Sequence, residues 1–546
     1  MSYQTSNETT TNTKKKPTLE QQDCCGLVKD HDFVKIEAVS GSGKTTTLQY
    51  ISETLGLPSL YLAYNKSMAE EAKSKFPKNV ETRTTHSLAY SIYGSGLAHK
   101  LKRPVGRYVN VAGTASEIAK FYKISFIQVD EDEIITEAFL GLIVKDSVAK
   151  FEQSADNTFN IDAHLPSFHK KDIEKRFGSI ALGNVKRTVA KVAKKLWQDR
   201  ISPLSPVLAT HDTYLKLYQL SKPDLSKNYK LLLLDEAQDT NDCVLDIVLS
   251  QKDRMKVVLV GDSRQQIYAW RGAVNAMNKV NAEKGTLSKS FRYGEPIAAI
   301  ARSVLQHKVK IEGNEKVKST VALLKAVDFE KPYTILFRKN TTLVFRAIEL
   351  ISQGVKVSIN IDVRDFVEML SSAHALYLGE MNRVKHENIL PYSSWEDFTN
   401  EAKSAPDLSK LITIILSGDA QQVISTLHTY KKDPNAIVTL TTAHKAKGLE
   451  YAQVVLADDF PSVYNTKGEY EGLSEEEENL LYVACTRAKF ALNVNETIFQ
   501  ILNMQNKGDV GNYLSDYKAS SRIKLPNKIN LNRELGHFDG EDYVFK

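Results

Sequence analysis

The sequence predicts an α/β fold built from two parallel-sheet cores, each interrupted by a mainly helical insertion. Seven apolar, strand-like runs alternate with segments of helical periodicity, which is typical of doubly wound parallel sheets. They read VKIEAV, SLYLAY, LLLLDE, KVVLVGD, YTILFR, IVTLTT and QVVLAD in chain order. The first four lie before residue 285 and the other three after residue 330. A helix-rich stretch interrupts each set, at residues 91–205 and 345–432.

Length and composition fit a chain with several cores. The 546 residues are 42% hydrophobic and 25% charged, as in ordinary globular proteins. Because 72 basic residues stand against 66 acidic ones, local patches would have to meet any polyanionic partner. Four cysteines without a CxxC pair predict neither a zinc site nor disulfides. No run has the length of a membrane span and no signal peptide is seen. We therefore expect an intracellular protein without a membrane partner, cytoplasmic or, in a eukaryote, nuclear.

The segment IEAVSGSGKTTT, residues 36–47, predicts a phosphate-binding loop directly after the first strand. Its glycines at 41 and 43 let successive backbone N–H groups point at phosphate oxygens, and the following helix adds its positive end. Lys44 is expected to reach the β- and γ-phosphates, and Thr45 to offer its hydroxyl to Mg²⁺. The usual first glycine of GxxxxGK(S/T) is Ala38 here, but the turn and its lysine remain.

Residues 231–240, LLLLDEAQDT, run four leucines into two adjacent carboxylates. Four apolar residues fit a strand covered on both faces, although periodicity does not separate it from a buried helix. At the C-terminal end of such a strand Asp235 would hold Mg²⁺ and Glu236 would polarise the attacking water. A strand capped by a solvated acidic turn is the alternative. The phosphate-binding loop upstream favours the nucleotide site.

Residues 257–273, VVLVGDSRQQIYAWRGA, place a polar loop after another buried strand. Gln265 in this loop is predicted to hydrogen-bond the γ-phosphate or the attacking water. Trp270, followed by Arg271, would offer a stacking face to a base, and such stacking contributes roughly 1–3 kcal/mol per base. A position in the core is the alternative for Trp270, because tryptophan is usually well buried.

Nine ordered signatures resemble those of superfamily 1 helicases of the UvrD/Rep/PcrA type. They are PTLEQQD, AVSGSGKT, THSLAY, LLLLDEAQDT, GDSRQQIYAWRGA, KSFRYGEP, ILFRKN, TTAHKAKGLEYAQVV and EEENLLYVACTRAK. The stretch LYLAYNKSMAEEAKSKFPKNVETRTTHSLAY is especially similar to the F-box DNA helicase branch, which in that family dismantles recombinase filaments. No F-box is expected, because only a short polar tail precedes Gln21. The resemblance implies two RecA-like P-loop cores.

The resemblance also implies an ATP site with Mg²⁺ between the two cores. Gln21 would recognise the adenine edge, Phe291 would stack on the base and Glu450 would contact the ribose. Arg292 and Arg487 resemble the paired arginines that reach the γ-phosphate, although a surface salt bridge is the common fate of arginine. The implied catalytic set is Lys44, Asp235, Glu236, Gln265, Arg292 and Arg487, with Thr45 and Asp235 on Mg²⁺. The nucleotide-binding loop comprises Ser40, Gly41, Ser42, Gly43, Lys44, Thr45 and Thr46.

On the nucleic-acid side the resemblance implies seven contacts with single-stranded DNA. They are Tyr64, Asn65, His86, Ser87, Trp270, Arg271 and His444. Tyr64 and His86 are equally typical of the edge of a core. A basic amphipathic stretch, residues 185–197, is interpreted first as a solvated helix face and second as a phosphate track.

The predicted domain boundaries follow from these elements. They are 1–16 for a disordered polar tail, 17–90 and 206–285 for the first RecA-like core, 91–205 for its helical insertion, 286–344 and 433–500 for the second core, 345–432 for a reduced insertion, and 501–546 for a C-terminal tail.

Two functional hypotheses remain open from the sequence. The first is an ATP-dependent DNA helicase or translocase acting on single-stranded DNA and on single/double-strand junctions, for which the resemblance implies 3′ to 5′ movement. The second is an ATPase switch or remodelling subunit that strips or gates DNA-bound proteins, such as recombinase filaments, with little unwinding. The short second insertion, residues 345–432, keeps the second hypothesis open.

Overall fold

The structure is a computed structural model that describes residues 16–101, 112–131, 133–268, 275–323, 325–402, 406–430, 432–433 and 435–505. Its strands are β1 (Phe33–Ala38), β2 (Ser59–Ala63), β3 (Val80–Thr84), β4 (Ile127–Gln128), β5 (Ile134–Ile135), β6 (Leu231–Leu234), β7 (Lys256–Gly261), β8 (Glu283–Leu287), β9 (Thr320–Ala322), β10 (Tyr333–Phe337), β11 (Val357–Ile359), β12 (Val438–Thr442), β13 (Tyr451–Leu456) and β14 (Ala488–Asn493).

The α-helices surround these strands and build the insertions. They are α1 (Leu19–Asp30), α2 (Lys44–Leu55), α3 (Lys66–Lys75), α4 (Thr85–Ala89), α5 (Ala115–Phe121), α6 (Glu137–Gln153), α7 (Ile161–His164), α8 (Ser167–Ile201), α9 (His211–Leu220), α10 (Asp242–Leu249), α11 (Ala276–Lys279), α12 (Glu295–Val304), α13 (Asn340–Ser352), α14 (Val363–Tyr377), α15 (Trp395–Ala402), α16 (Pro406–Leu416), α17 (Ala420–Thr429), α18 (Ala443–Ala446), α19 (Glu475–Cys485) and α20 (Glu496–Met504).

Two six-stranded sheets form the cores, with strand orders β3-β2-β6-β7-β1-β8 and β11-β12-β10-β13-β14-β9. Every pairing in both sheets is parallel. All four leucines of β6 and all five residues of β10 are buried, because both faces of a parallel sheet are covered. This arrangement confirms the predicted α/β fold with two parallel-sheet cores.

Each of the seven predicted apolar runs contains a strand, but the runs do not account for β3, β8, β9, β11 and β14. Four of these five are the outermost strands of their sheets. An edge strand pairs on one side only and is free to carry polar residues. β3 reads VETRT and β8 reads EKGTL. The hydrophobic runs therefore predicted most of the inner strands of both sheets and none of the outermost strands.

The first insertion is mainly helical, with α5 to α8 and one small antiparallel pair, β4 with β5. In α8 the residues Val185, Val189 and Leu196 are fully buried while Lys191, Lys194 and Lys195 are exposed. The amphipathic face predicted for residues 185–197 is thus present. Helix α8 is interrupted at Gly178, where φ is 82° and ψ is 175°.

Two predicted boundaries differ from the structure. The second insertion was predicted to begin at residue 345, but α13 runs through that position and β11 pairs with β12 inside the second sheet. The helices of the insertion therefore begin with α14. The boundary predicted after residue 285 also falls inside β8, which pairs with β1 up to Leu287. Both errors arise because short edge strands give little hydrophobic signal.

Among the helices within the described ranges, none combines the length and the apolar character needed to cross a membrane.

Candidate nucleotide site and nucleic-acid surface

The loop between β1 and α2 has the backbone of a phosphate cradle. Gly41 and Gly43 take φ values of 76° and 81°, in a region that strongly favours glycine. A Cβ on Gly41 would come within 2.7 Å of both Arg292 Cβ and Ser290 Oγ. Gly43 caps α2 without a side-chain hydrogen bond, so the first N–H groups of this helix are open to an anion.

The Ser42 side chain of the cradle is buried. Ser42 is 2% exposed, and its Oγ has no hydrogen-bond partner among the residues that the structure describes. Buried polar atoms are normally bonded, so this hydroxyl fits a site that a ligand completes. This hydroxyl, the two glycines and the open N–H groups at the start of α2 together suit the phosphates of a nucleoside triphosphate. Thr46, also predicted here, is exposed.

The carboxylates of Asp235 and Glu236 directly follow β6 and contact the first residues of α2. Lys44 Nζ lies 2.7 Å from Glu236 Oε2, and Thr45 Oγ1 donates to Asp235 Oδ2 at 3.1 Å. Glu236 has a φ of 52°, which is a costly conformation for a residue with a Cβ and recurs at functional sites. Thr45 and Asp235 are hard oxygen ligands suited to Mg²⁺. The strand-capping solvated turn is not found, since Asp235 is 2% exposed.

Charges in this pocket are strongly coupled to one another. Burial and the neighbouring Glu236 carboxylate raise the pKa of Asp235. Burial would also raise the pKa of Glu236, but the charges of Lys44 and Lys447 and the hydrogen bonds from Lys44 and Gln238 lower it to about 2. Burial alone would lower the pKa of Lys44. The charges of the Glu236, Asp235 and Asp262 carboxylates outweigh this effect, so the pKa is raised. Lys44 and Glu236 are therefore a charged pair at neutral pH.

The side chains of Tyr61 and Gln238 connect the carboxylates to the neighbouring strands. The Tyr61 hydroxyl of β2 donates to Asp235 Oδ2 at 2.7 Å. Gln238 Nε2 donates to Glu236 Oε2 at 2.5 Å, and its Oε1 accepts from Asp262 N at 3.0 Å. Asp262 follows β7, so Gln238 joins the ends of two adjacent strands. Gln238, the glutamine of DEAQ, therefore couples the Glu236 carboxylate to the loop that follows β7.

Both predicted arginines reach the phosphate-binding loop. Arg487 Nη2 donates to Ser40 Oγ at 3.0 Å, and Arg292 Nη1 donates to the same oxygen at 2.9 Å. Arg487 follows α19 of the second core, whereas Arg292 lies in the segment that connects β8 to α12. One hydroxyl of the first core thus holds two guanidinium groups.

Arg487 is a buried charge, and within the described residues its hydrogen bonds all end on neutral oxygens. It is 1% exposed, and its hydrogen bonds end on Val483 O, Leu449 O, Ser40 Oγ, Gln265 Oε1 and Thr486 Oγ1. Burial and the adjacent Arg292 charge lower the pKa of Arg487 to about 10, so the group stays protonated at neutral pH. Burying an unpaired cation is costly, and a polyanion at Ser40 would relieve that cost.

Gln265 and a tyrosine connect the two cores behind Ser40. Gln265 Nε2 donates to Asp262 Oδ2 at 2.6 Å while its Oε1 faces Arg487 Nη2 at 3.4 Å. The Tyr482 hydroxyl donates to Asp262 Oδ2 and accepts from Ser40 N, both at 2.9 Å. Gln265 therefore lies between the Asp262 carboxylate and Arg487, and its predicted contact with the γ-phosphate or the attacking water stays a prediction.

Gln21 and Phe291 both lie next to Gly43. A Cβ on Gly43 would meet Gln21 Nε2 and the Phe291 ring, each at 3.6 Å. Gln21 is held by Thr18, as part of the capping box that begins α1, and by Thr47 Oγ1 at 3.1 Å. Phe291 is 44% exposed, which leaves ring surface for a base. Both positions suit the adenine contacts implied by the resemblance.

Glu450 lies at the rim of the cleft. Its carboxylate accepts from Arg292 Nε at 3.1 Å and from Lys489 Nζ at 2.9 Å. Glu450 thus shares Arg292 with Ser40 of the first core. The ribose contact implied by the resemblance remains a prediction.

Four predicted DNA contacts follow neighbouring strands of the first sheet. Tyr64 follows β2, and His86 and Ser87 belong to α4, which follows β3; the register pairs Ala63 with Thr84. Tyr64 is 46% exposed. His86 Nε2 contacts Asp212 Oδ1 at 3.0 Å. These side chains share one edge of the sheet.

Asn65 and Ser87 also serve as helix caps. Asn65 Oδ1 accepts from Met68 N at the start of α3, and Ser87 completes the capping box of Thr84. His444 lies in α18 of the second core, and its carbonyl accepts from the Tyr268 hydroxyl at 2.9 Å. Trp270 and Arg271 lie outside the described residues, so their predicted roles stay predictions.

A buried ion pair between the cores, Lys447 with Asp239, was not predicted from the sequence. Lys447 Nζ of the second core lies 2.7 Å from Asp239 Oδ1 and 2.5 Å from Asp239 Oδ2. Lys447 also donates to Gln265 O and lies 5.2 Å from the centre of the Tyr268 ring. The position of Lys447 in the signature TTAHKAKGLEYAQVV, between His444 and Glu450, was the feature of the sequence that could have indicated this ion pair. Tyr61 and Tyr482 gave none, because each looks like an ordinary apolar-run residue.

A protein-family model described as the UvrD-like helicase C-terminal domain matches residues 140–497. F-box DNA helicase 1 of Gallus gallus is 30% identical over 510 residues, which cover 86% of this chain and 48% of that protein. F-box DNA helicase protein 1 of Schizosaccharomyces pombe is 29% identical over 523 residues, covering 87% and 56%. A probable DNA helicase of Mycoplasma pneumoniae is 22% identical over 493 residues, covering 86% and 82%.

The chain spans about half the length of the two F-box relatives. The matched family agrees with the resemblance that the nine signatures indicate. With the two parallel-sheet cores and the arginine-lined cleft between them, these findings lead to one conclusion: the chain belongs to the UvrD-like helicase family.

Proposed function

We propose that the protein is an ATP-driven motor that moves along single-stranded DNA in the 3′ to 5′ direction, with Mg²⁺ as its second cofactor. The observation that carries this proposal is the buried Arg487 beside Ser40, which has no carboxylate partner in the part of the chain that the structure describes. A second-core cation that contacts the first core's phosphate loop makes the affinity between the cores depend on the anion bound there.

The residues of the cleft have distinct roles in this proposal. Bound MgATP supplies the phosphoanhydride bond and the metal that activates it. Lys44 exchanges its Glu236 partner for phosphate oxygens, which frees the Glu236 carboxylate to accept a proton from the attacking water. Thr45 and Asp235 are the oxygen ligands for the metal. Arg292 and Arg487 stabilise the charge that develops at the phosphate, an effect of about 10³–10⁵ in rate for arginine fingers.

Movement requires that closing and opening of the cleft act on a strand held by both cores. Tyr64 and His86 lie on the first core and His444 on the second, so each core carries part of the proposed DNA surface. Tyr268 contacts the His444 backbone and stands three residues after Gln265. The state of the nucleotide site therefore has a short path to the strand.

A displacement assay tests both motion and polarity. Streptavidin bound to a biotin at the 5′ end of a single strand should be removed in the presence of ATP, whereas streptavidin at the 3′ end should remain. The Lys44→Ala variant should displace neither. Faster release from the 3′ end would contradict the proposed polarity, and no release from either end would contradict the motor itself.

The remodelling alternative differs in how the protein acts on bare duplex. It predicts streptavidin or protein displacement with little unwinding of a 3′-tailed duplex, while a helicase unwinds that duplex efficiently. Running both assays on the same preparation separates the two, because robust unwinding would contradict the remodelling subunit. A 3′-tailed junction and a DNA-bound protein filament are the corresponding proposed partners.

A further inference from the structure

A π-helical turn after α4 exposes a second aromatic ring beside His86. The turn spans Tyr90–Gly94, and Ser95 N donates to Tyr90 O five residues earlier. Such turns are rare and recur at functional sites. Tyr90 is 39% exposed; it ends the THSLAY signature, but no role was predicted for it. It stands four residues after His86, a spacing that places both side chains on one helical face.

Tyr90 and His86 rest on the same buried ring. The centre of the Tyr214 ring lies 5.6 Å from that of Tyr90 and 6.2 Å from that of His86, both edge-on. Tyr214 is 3% exposed, and its hydroxyl contacts His211 Nδ1 at 3.0 Å. The two solvent-facing rings therefore share a fixed backing.

Gly94 sets the position of Tyr90. A Cβ at this residue would lie 2.3 Å from Tyr90 Cδ2 and 3.2 Å from Tyr214 Cδ1. The backbone of Gly94 is ordinary, with φ of −70°, so alanine is excluded by the Tyr90 ring and not by conformation. Close packing against Gly94 and Tyr214 holds the Tyr90 ring in position while part of the ring stays exposed to solvent.

We propose that Tyr90 is a base-stacking residue of the strand-binding surface, extending the edge formed by Tyr64 and His86. The inference rests on the proposed function, since it names where that surface receives a base. An aromatic ring with a rigid backing and an exposed part accepts any base, because every base has a π-face. His86 hydrogen-bonds to Asp212, and the neighbouring Tyr90 ring stacks on the base.

The test compares binding of a labelled oligothymidine with binding of an abasic strand of equal length by fluorescence anisotropy. Tyr90→Ala should weaken oligothymidine binding about 5- to 100-fold, while Tyr90→Phe and Tyr90→Trp should retain it. Binding of the abasic strand should be the same in all variants. The dependence of affinity on salt should also keep its slope, because phosphate contacts are unchanged.

Tyr470→Ala is the matched control. Tyr470 is 46% exposed and lies edge-on to Tyr464 at 6.1 Å, but it stands between Glu469 and Glu471, which disfavour a polyanion. This variant should bind oligothymidine as the wild type does. Equal weakening by Tyr470→Ala would overturn the assignment to Tyr90.

Gly94→Ala supplies an independent test through the same ring. It should weaken oligothymidine binding in the wild-type background and have no further effect when combined with Tyr90→Ala. Additive effects would overturn the stacking role, as would unchanged binding by Tyr90→Ala. If the wild type itself does not bind oligothymidine, the proposed function fails, and this outcome is distinct from a wild type that binds and a Tyr90→Ala variant that binds equally well.

Discussion

Arg487 Nη2 lies 3.0 Å from Ser40 Oγ, although 447 residues separate the two in sequence. Ser40 belongs to the phosphate-binding loop of the first core, and Arg487 follows α19 of the second. This hydrogen bond is a direct contact between the cores, made by a cation that bonds to neutral oxygens in the described part of the chain. Binding of an anion at the loop is therefore expected to strengthen the attraction between the cores.

Arg487→Ala should lower DNA-stimulated ATP hydrolysis by about 10³-fold. Arg487→Lys should not restore it, because an ammonium lacks the planar fork that reaches Ser40 Oγ through Nη2 and Leu449 O through Nη1. Phosphate release in the presence of single-stranded DNA measures the effect. Arg302→Ala is the control, since Arg302 of the same core bonds to Ile311 O and Glu295 instead. An Arg487→Ala variant that keeps a tenth of the wild-type rate would contradict the role.

Lys44→Ala and Glu236→Gln should both abolish hydrolysis but differ in nucleotide binding. Removing Lys44 deletes a phosphate ligand, so ATP affinity falls. Glu236→Gln removes the charged partner that Lys44 must leave, at 2.7 Å, so ATP affinity is kept or increases. Titration with a fluorescent ATP analogue separates them, with Glu53→Gln at the far end of α2 as the control. Equal loss of binding in both variants would refute the exchange of Lys44 partners.

Lys447→Ala and Asp239→Ala should each reduce the stimulation of ATP hydrolysis by DNA, and the double variant should be no worse than either. The two side chains form one pair whose side-chain exposures are 8% and 1%. Because each substitution removes the same contact, the effects are not additive. The ratio of ATPase rates with and without single-stranded DNA is the measurement. Independent, multiplying losses would show that the pair does not act as a unit.

Hydrolysis should fall steeply as the pH drops through about 6. Burial is the main cause that raises the pKa of Asp239 to about 6, and likewise that of Asp262. Acidification protonates both and removes the charges that face Lys447 and Lys44. The acidic limb of the pH–rate profile should approach the slope expected for two protons. In Asp239→Asn its slope should fall to that expected for one proton.

The same pKa shifts predict no acid unfolding from these groups. A carboxyl whose pKa is raised on folding contributes stability that is present below its unfolded value of 3.8 and is lost as the pH rises through about 6. Thermal unfolding at pH 5.5 and 7.5 therefore serves as the control. A lower melting temperature at pH 5.5 that tracks the loss of activity would assign that loss to unfolding.

Arg200→Ala should destabilise the first insertion by about 3–5 kcal/mol. Arg200 Nη1 bonds to Glu152 Oε2 at 2.9 Å, with both side chains buried, and Glu152 also accepts from Thr210 and Thr213. Removing the arginine leaves a buried carboxylate unpaired. Combining Arg200→Met with Glu152→Leu should recover most of the loss. Urea unfolding followed by tryptophan fluorescence measures both, and a double variant as unstable as Arg200→Ala would contradict the explanation.

The sequence by itself determined the centres of both sheets and the chemistry of the nucleotide site. Runs such as LLLLDE are covered on both faces and must be apolar, and SGSGKT needs glycines for its turn, so both patterns are local and legible. The edge strands β3, β8, β9 and β11 were not, because pairing on one side tolerates polar residues. For that reason the start of the second insertion was placed too early in the chain.

Only the tertiary structure decided which distant residues share a contact. Ser40 with Arg487, Asp239 with Lys447, and Tyr90 with Tyr214 are brought together by strand order and by the meeting of two cores. Such contacts leave no spacing or periodicity in the chain. The sequence specified which groups carry the chemistry, whereas folding determined which charges are buried, which are paired, and where one core contacts the other.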